Sequence, residues 1–288
     1  MTHQPFEPTF RHLRLGTTLR TLRTQAGMTL EGAATAVGWQ TPKLSKIENA
    51  RQQVRPAEVT ALLGVYGVTD PDAVTALENL ARDARRRGWW QNYRAVVSRA
   101  YTDYISLEDE AERICEWSPL LVPGLLQTAA YARETIGAAA SSTPPNEVAA
   151  LAEVRQARQA VLSRPDRPLQ FWAIVHEAAL HHRFAIRPTV MREQLQRILD
   201  AAELPNVTVQ VMPLDSTPHP GIVGGFSLVS FPGSIPDVVL VENLGGDIYL
   251  EGDATSPFTT AAQRISAAAL SVEDSLVRIT QLKEGHRK

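Results

Sequence analysis

A single cysteine, Cys115, is the whole thiol complement of this 288-residue chain. It excludes an intrachain disulfide framework and fits a reducing compartment. No apolar run approaches the roughly 20 residues that span a bilayer, and the start Met1-Thr2-His3-Gln4-Pro5 lacks the regions of a signal peptide. A cytoplasmic protein with no membrane partner is expected. The motifs of covalent and metal chemistry are missing too. Ser227 and Ser230 have no G-x-S-x-G context. Val223-Gly224-Gly225-Phe226 and Asn243-Leu244-Gly245-Gly246-Asp247 read as turns between strands, not as the strand–glycine loop–helix order that cradles phosphate. His176, Glu177, His181 and His182 invite a metal reading, but a zinc helix needs its two His four apart, and His181 follows His176 by five. Cys115 lies in an apolar, acidic stretch that raises a thiol's pKa, the wrong setting for a nucleophile. The acidic segment Tyr101 to Glu116, with Asp103, Glu108, Asp109, Glu110, Glu112 and Glu116, lacks the Gly-centred alternation of a calcium loop. It reads as a solvated helix face leading into a short strand near Ile114 to Trp117. No enzymatic activity, cofactor or metal is expected.

Apolar residues make up 44% of the chain and charged residues 21%, the balance of a globular protein with material for a substantial core. The length fits two domains. The net charge of −2 conceals an asymmetry: residues 1–94 carry 13 Lys and Arg against 8 Asp and Glu, and the remainder carries 16 against 23. Binding a phosphate backbone needs local positive charge, so only the first part offers a nucleic-acid surface. The acidic remainder must serve another purpose.

The most informative stretch runs from Leu15 to Tyr66. Leu30, Ala33, Ala34 and Val37 recur at helical spacing, so Thr29 to Val37 reads as a short amphipathic helix with Thr29 as N-cap. Gly38 supplies the left-handed residue that ends it. Beyond it, Leu44 and Ile47 lie three apart and face inward, leaving Thr41, Lys43, Ser45 and Lys46 outward, short or cationic. Two short helices about a tight turn, the second with a polar, basic outer face, form the arrangement that enters a DNA major groove. Leu13, Leu15, Leu19 and Leu22 give an apolar stripe to a preceding helix; Val59, Leu62, Leu63 and Tyr66 give one to a following helix, with Pro56 in its first turn. Pro71 opens a fifth helix over residues 71 to 87, capped by Thr69 or Asp70. Its basic tail, Arg82 with Arg85-Arg86-Arg87, reads as cations placed favourably at a helix C-terminus, with a second phosphate-contacting cluster as the alternative. The domains expected are a flexible arm at 1–9, a helix-turn-helix DNA-binding domain at 10–87 and an α+β sensor or interaction domain at 88–288.

This order resembles the lambda-repressor-like, or Xre, family of helix-turn-helix domains: Arg23, Ala26-Gly27-Met28-Thr29, Ala33-Ala34, Val37-Gly38 and Ser45-Lys46-Ile47-Glu48-Asn49 fall in register. The resemblance implies base-edge positions at Thr41, Lys43, Ser45 and Lys46. It implies phosphate contacts from Gln40, Asn49, Arg51 and Arg55, with Thr29, at the start of the preceding helix, in the same role. It further implies that Arg23 and Glu48 pair to tie the first helix to the third. Two residues depart from the pattern: Leu30 stands where many relatives carry a phosphate-gripping Gln, and Ala50 stands where a Gly follows the recognition helix.

Past residue 88 the reading is mixed. Gly88-Trp89-Trp90-Gln91-Asn92-Tyr93 marks packing between elements. Thr128 caps a helix through Glu134, Glu147 to Leu162 and Val190 to Ala202 are helical, and His176 to His182 forms a short helix. Strands are expected at Leu169 to Val175, Val207 to Val211, Phe226 to Phe231, Val238 to Val241 and Ile248 to Leu250. The final helix, Thr255 to Gln281, is expected to break near Ser271. Without a repeating βαβ unit, this predicts an α+β domain with a small mixed or antiparallel sheet after the all-α N-terminal domain. Val122-Pro123-Gly124-Leu125-Leu126-Gln127-Thr128, Tyr131-Ala132-Arg133, Arg155-Gln156-Ala157-Arg158-Gln159, Glu193-Gln194-Leu195 and Leu204-Pro205-Asn206-Val207 are similar to the actinobacterial WhiJ-like regulators, which join an Xre-type domain to a C-terminal domain of unknown activity. The resemblance implies transcriptional regulation. One helical module reads only a few base pairs, so a homodimer on a double-stranded operator is expected. The C-terminal domain would then supply dimer contacts and receive a small-molecule effector or a partner protein. The alternative is an antitoxin-like module that binds a small partner protein encoded nearby and autoregulates through its DNA-binding domain. It is motivated by the acidic second domain and by the small gene that commonly neighbours members of that group.

Overall fold

The computed structural model describes residues 10–83, 89–93, 96–139, 143–232, 236–243 and 246–286. The expected arm at residues 1–9 and the Arg85-Arg86-Arg87 cluster lie outside the described residues. The chain divides into two compact units, parted between Gln91 and Asn92. The first is helical; the second combines helices with a six-stranded mixed sheet.

The first unit holds α1 (Phe10–Gln25), α2 (Leu30–Ala36), α3 (Thr41–Glu48), α4 (Pro56–Tyr66) and α5 (Pro71–Asp83). Local chemistry sets the boundaries. Thr29 Oγ1 accepts the Gly32 N–H at 3.0 Å, satisfying one of the unpaired donors at the start of α2. Gly38, at φ 69°, makes the left-handed turn after α2. Pro56 opens α4, where its missing N–H costs nothing. Leu15, Leu19, Ala33, Ala34, Leu44, Ile47, Val59, Leu62, Leu63 and Leu77 form one buried core. Leu13 does not join it. It is 44% exposed, because two residues before Leu15 means about 200° around a helix. The crossing of α1 over α3 is close: a Cβ on Gly16 would lie 2.7 Å from the carbonyl oxygens of Ile47 and Glu48.

The second unit contains α6 (Arg99–Glu110), β1 (Arg113–Ser118), α7 (Ala129–Ala139), α8 (Pro145–Arg158), β2 (Gln170–His176), α9 (Val190–Ala202), β3 (Val207–Met212), β4 (Phe226–Ser230), β5 (Val238–Val241), β6 (Ile248–Glu251), α10 (Ser256–Ala268) and α11 (Val272–Gly285). Strand order is β3-β2-β1-β4-β5-β6. The β3, β2 and β1 strands run parallel, and β4, β5 and β6 continue antiparallel. Parallel neighbours require long crossovers, here α7 with α8 and then α9. Two successive βαβ connections are therefore present, against the expectation of no repeating βαβ unit, while the antiparallel β4, β5 and β6 keep the sheet mixed. β1 is the seam between the two halves. Its Cys115 and Trp117 share a face with Ile174, Met212, Phe226 and Val239, covered by Ala262 and Ile265 of α10. Ser271 caps α11, giving the expected break in the last helix.

The run Val122 to Thr128 owes its place to side chains from two later helices. Gln127 Nε2 donates to Val122 O at 2.7 Å, Gln156 and Gln159 donate to Gln127 O, and Arg155 donates to Gln127 Oε1 at 3.0 Å. Gln194 donates to Leu126 O and accepts the Thr128 N–H, both at 2.7 Å. Buried backbone that is neither helix nor strand needs such partners. The glutamines and the arginine supply them.

The acidic segment corrects an expectation. Glu108 is not on a solvated face: it is completely buried, and both its oxygens receive Arg158 at 2.7 Å. Arg158 also donates to the Tyr101 hydroxyl at 2.6 Å and lies over the rings of Tyr101 and Tyr104. Asp103 is buried as well. Burying a carboxylate this deeply is costly unless a partner satisfies it, and the guanidinium does so in bidentate fashion.

Candidate nucleic-acid interface

The second helix of the turn, α3, divides into two faces. Leu44, Ile47 and Glu48 are buried. Thr41 and Ser45 are half-buried and Lys46 is exposed. Gln40 precedes the helix as its N-cap residue, exposed, and its amide makes no capping bond. Arg51 and Arg55 are exposed on the segment joining α3 to α4. Asn49, also exposed, donates from Nδ2 to Ser45 O at 2.8 Å. Thr29 keeps its hydroxyl on the Gly32 N–H at the exposed start of α2. Polar and cationic side chains thus gather around one helix and its two ends. An anionic ligand meets N–H groups and cations there, and no carboxylate of α3 itself points outward.

Arg23 fixes that helix. Its Nε and Nη2 reach the two Glu48 oxygens at 2.7 and 3.0 Å, and Nη1 donates to Met28 O at 2.7 Å. One guanidinium therefore joins α1, the approach to α2 and the C-terminal end of α3. The geometry is bidentate and nearly dry, so its main value is orientation. Burial and the Glu48 charge push the neighbouring Tyr66 phenol up to about 12.

Lys43 differs from its neighbours. Its Nζ lies 2.6 Å from Glu58 Oε1 and 3.8 Å from the centre of the Trp39 ring. Partial burial raises the Glu58 carboxyl, but hydrogen bonds from Lys43 and from the Arg55 N–H outweigh it and hold the group below the ordinary carboxylate value. To reach a base or phosphate, Lys43 must exchange Glu58 for DNA. The sequence reading missed Glu58. Its only local signal is its position as third residue of a helix opened by Pro56, which marks a capping acid.

The two departures from the family pattern also resolve. Leu30 packs against the core, so no polar side chain occupies that site. Ala50 adopts φ 52°, the left-handed conformation that Gly favours, and is buried. The loop geometry is kept at the cost of some strain. Elsewhere, burial pushes the Cys115 thiol up to about 12, with the Glu116 charge adding to it. His181 and Arg278 both engage Glu177, at 3.1 and 2.5 Å. Among the described residues no group of three His, Cys, Asp or Glu is placed to hold a metal ion, and no helix is long and apolar enough to cross a membrane.

A five-helix unit with this turn and this polar face is a DNA-binding helix-turn-helix domain, and residues 14–77 match the family model described as a helix-turn-helix domain. Residues 101–281 match a second model, described as a domain of unknown function (DUF5753). That match covers more than half of the chain, which therefore belongs to the DUF5753 family. No curated protein and no solved structure matches it.

Proposed function

We propose that the chain is a sequence-specific transcriptional regulator of the WhiJ-like group, working in the cytoplasm as a homodimer on a paired operator. Its second unit receives a signal. The single observation that carries the reading is the outer face of α3. Thr41, Ser45 and Lys46 stand outward between Gln40 and the Arg51 and Arg55 cations, while Arg23 and Glu48 hold the helix from behind. Thr41, Ser45 and Lys46 read base edges, and Lys43 joins them once Glu58 is displaced. Gln40, Asn49, Arg51, Arg55 and Thr29 meet phosphates. A signal alters DNA binding only if it binds the competent and incompetent states unequally.

Two substitutions test the division of labour. Lys46→Ala costs about 1–3 kcal/mol at the preferred operator and relaxes preference there, whereas Arg51→Ala weakens all sequences alike and lowers the salt slope by about one. Competition binding across operator variants and salt concentrations distinguishes the two. An unchanged preference in Lys46→Ala removes that residue from the base-reading set.

A further inference from the structure

At the carboxyl end of β1 the chain leaves toward α7 while β4 runs in antiparallel beside it. Where neighbouring connections part in this way, an open sheet leaves a crevice. One cavity there, of about 200 Å³, is walled by Glu116, Ser118, Leu121, Leu240 and Glu242. A second, of about 320 Å³, is walled by Tyr101, Leu121, Ile136, Leu151, Arg155 and Glu242. Leu121 and Glu242 border both, so the two adjoin within the second unit and are treated as the lobes of one cleft.

The lobes differ in chemistry. The smaller has two carboxylates and no cation in its wall. Glu116 accepts a hydrogen bond from Ser118 Oγ at 2.9 Å, and among the described residues neither Glu116 nor Glu242 forms an ion pair. The nearby guanidinium of Arg158 is committed through Nε and Nη2 to Glu108 and through Nη1 to the Tyr101 hydroxyl. The larger lobe has the apolar side chains of Ile136, Leu151 and Leu121. Its Arg155 already donates to Gln127.

We propose that this cleft binds a small organic cation, with its ammonium or guanidinium group between Glu116 and Glu242 and its apolar body over Leu121 in the lobe of Ile136 and Leu151. Two carboxylates in a partly desolvated wall repel each other, and a cation of matching size removes that cost. An apolar wall with a few converging polar groups is the usual build of a small-molecule site.

The protonation of Glu116 agrees with this assignment. Burial pushes its carboxyl up to about 7; Glu242 and Glu108 add to the shift, while Ser118 and Arg158 oppose it. Tyr104 of α6 also faces it. Glu242 is raised in turn by burial and by Asp247, with Arg158 and Arg155 opposing, and Tyr249 lies within its field. The Glu242 residue as a whole is nevertheless exposed, so that burial is local to one side of its carboxyl. Bound cation favours the ionised form, so binding is strong above pH 7 and weakens as Glu116 takes up its proton.

The test is calorimetric titration of the full chain with 2-phenylethylamine, tryptamine and hexylamine, beside the neutral 2-phenylethanol, the anionic 3-phenylpropionate and magnesium alone. Amines are expected to bind at pH 8 and on the order of tenfold more weakly at pH 5.5, as protonation of a raised carboxyl requires. Glu116→Gln is expected to weaken amine binding at least tenfold and to remove the pH dependence, and Glu242→Gln to weaken it similarly. Both variants should keep the parent's unfolding transition or raise it. Three results would overturn the assignment: no binding by any of the amines at pH 8, binding of the alcohol as tight as that of 2-phenylethylamine, or displacement of amine by magnesium alone. The assignment concerns the second unit and stands apart from the DNA reading, since none of these outcomes depends on DNA.

Discussion

Replacing Gly16 by Ala sets two effects against each other. In a helix interior Ala is favoured over Gly by about 1 kcal/mol, because Gly loses more backbone entropy on folding. A Cβ at Gly16 would however lie 2.7 Å from two carbonyl oxygens of α3, those of Ile47 and Glu48. Neither is the end of a flexible side chain. The helices must part by roughly half an ångström, and overpacking of this kind costs about 1–3 kcal/mol. The clash offsets or exceeds the gain, for a net loss of up to about 2 kcal/mol. Gly64 in α4 is the control: it is exposed, and a Cβ there meets nothing within 4 Å. Gly64→Ala should therefore show the full gain of about 1 kcal/mol. Native-state hydrogen exchange on the full chain reads both changes over residues 15–66. Because the displaced segment is the end of α3, Gly16→Ala should also weaken operator binding about tenfold, and Gly64→Ala should leave it unchanged. If Gly16→Ala stabilises the unit as Gly64→Ala does, the close crossing of α1 and α3 is wrong.

Three further outcomes are expected. Glu58→Gln releases Lys43 and removes a charge that competes with phosphate, so DNA binding should tighten and its salt dependence steepen by about 0.9 in log–log slope; an unchanged slope would show that Lys43 stays away from DNA. Glu108→Gln leaves Arg158 buried without its counter-charge and should cost the second unit about 3–5 kcal/mol in urea unfolding, whereas a loss below about 1 kcal/mol would contradict the buried pair. Burial, and then Arg11, hold the His12 imidazole down at about 4 from its usual 6.5. The unfolded chain thus takes the proton first, so α1 should be at full stability above pH 6.5 and lose it as pH falls toward 4. A His12→Gln variant with the same acid profile for amide exchange in α1 would refute that origin.

Legibility in the sequence followed the range of the interactions. The turn at Gly38, the cap at Thr29 and the outward face of α3 depend on neighbours within a few residues, so helical periodicity with the local chemistry of Thr and Gly placed them. The apolar stripe of α1 was one residue too generous, because Leu13 was grouped with leucines that lie on the other side of the helix. The pairing of Glu108 with Arg158 joins residues 50 apart, and no periodic signal distinguishes a buried acid from a solvated one in an acidic helix. The parallel pairing of β1 with β2 was hidden for a similar reason, since α7 and α8 separate the two strands. Glu116 did carry a signal that went unused. An acid between Ile114 and Ser118 on an inward-facing strand position must find a partner, stay protonated or await a ligand.

The most direct test of the DNA-binding account is the genome-wide distribution of the native full-length chain in its own cells, beside a Lys46→Ala variant expressed at the same level. The account predicts a small number of sharp sites sharing one paired sequence, lost or blurred in the variant. Sites that persist unchanged in Lys46→Ala, or an absence of sites together with recovery of a stoichiometric small protein, would contradict it.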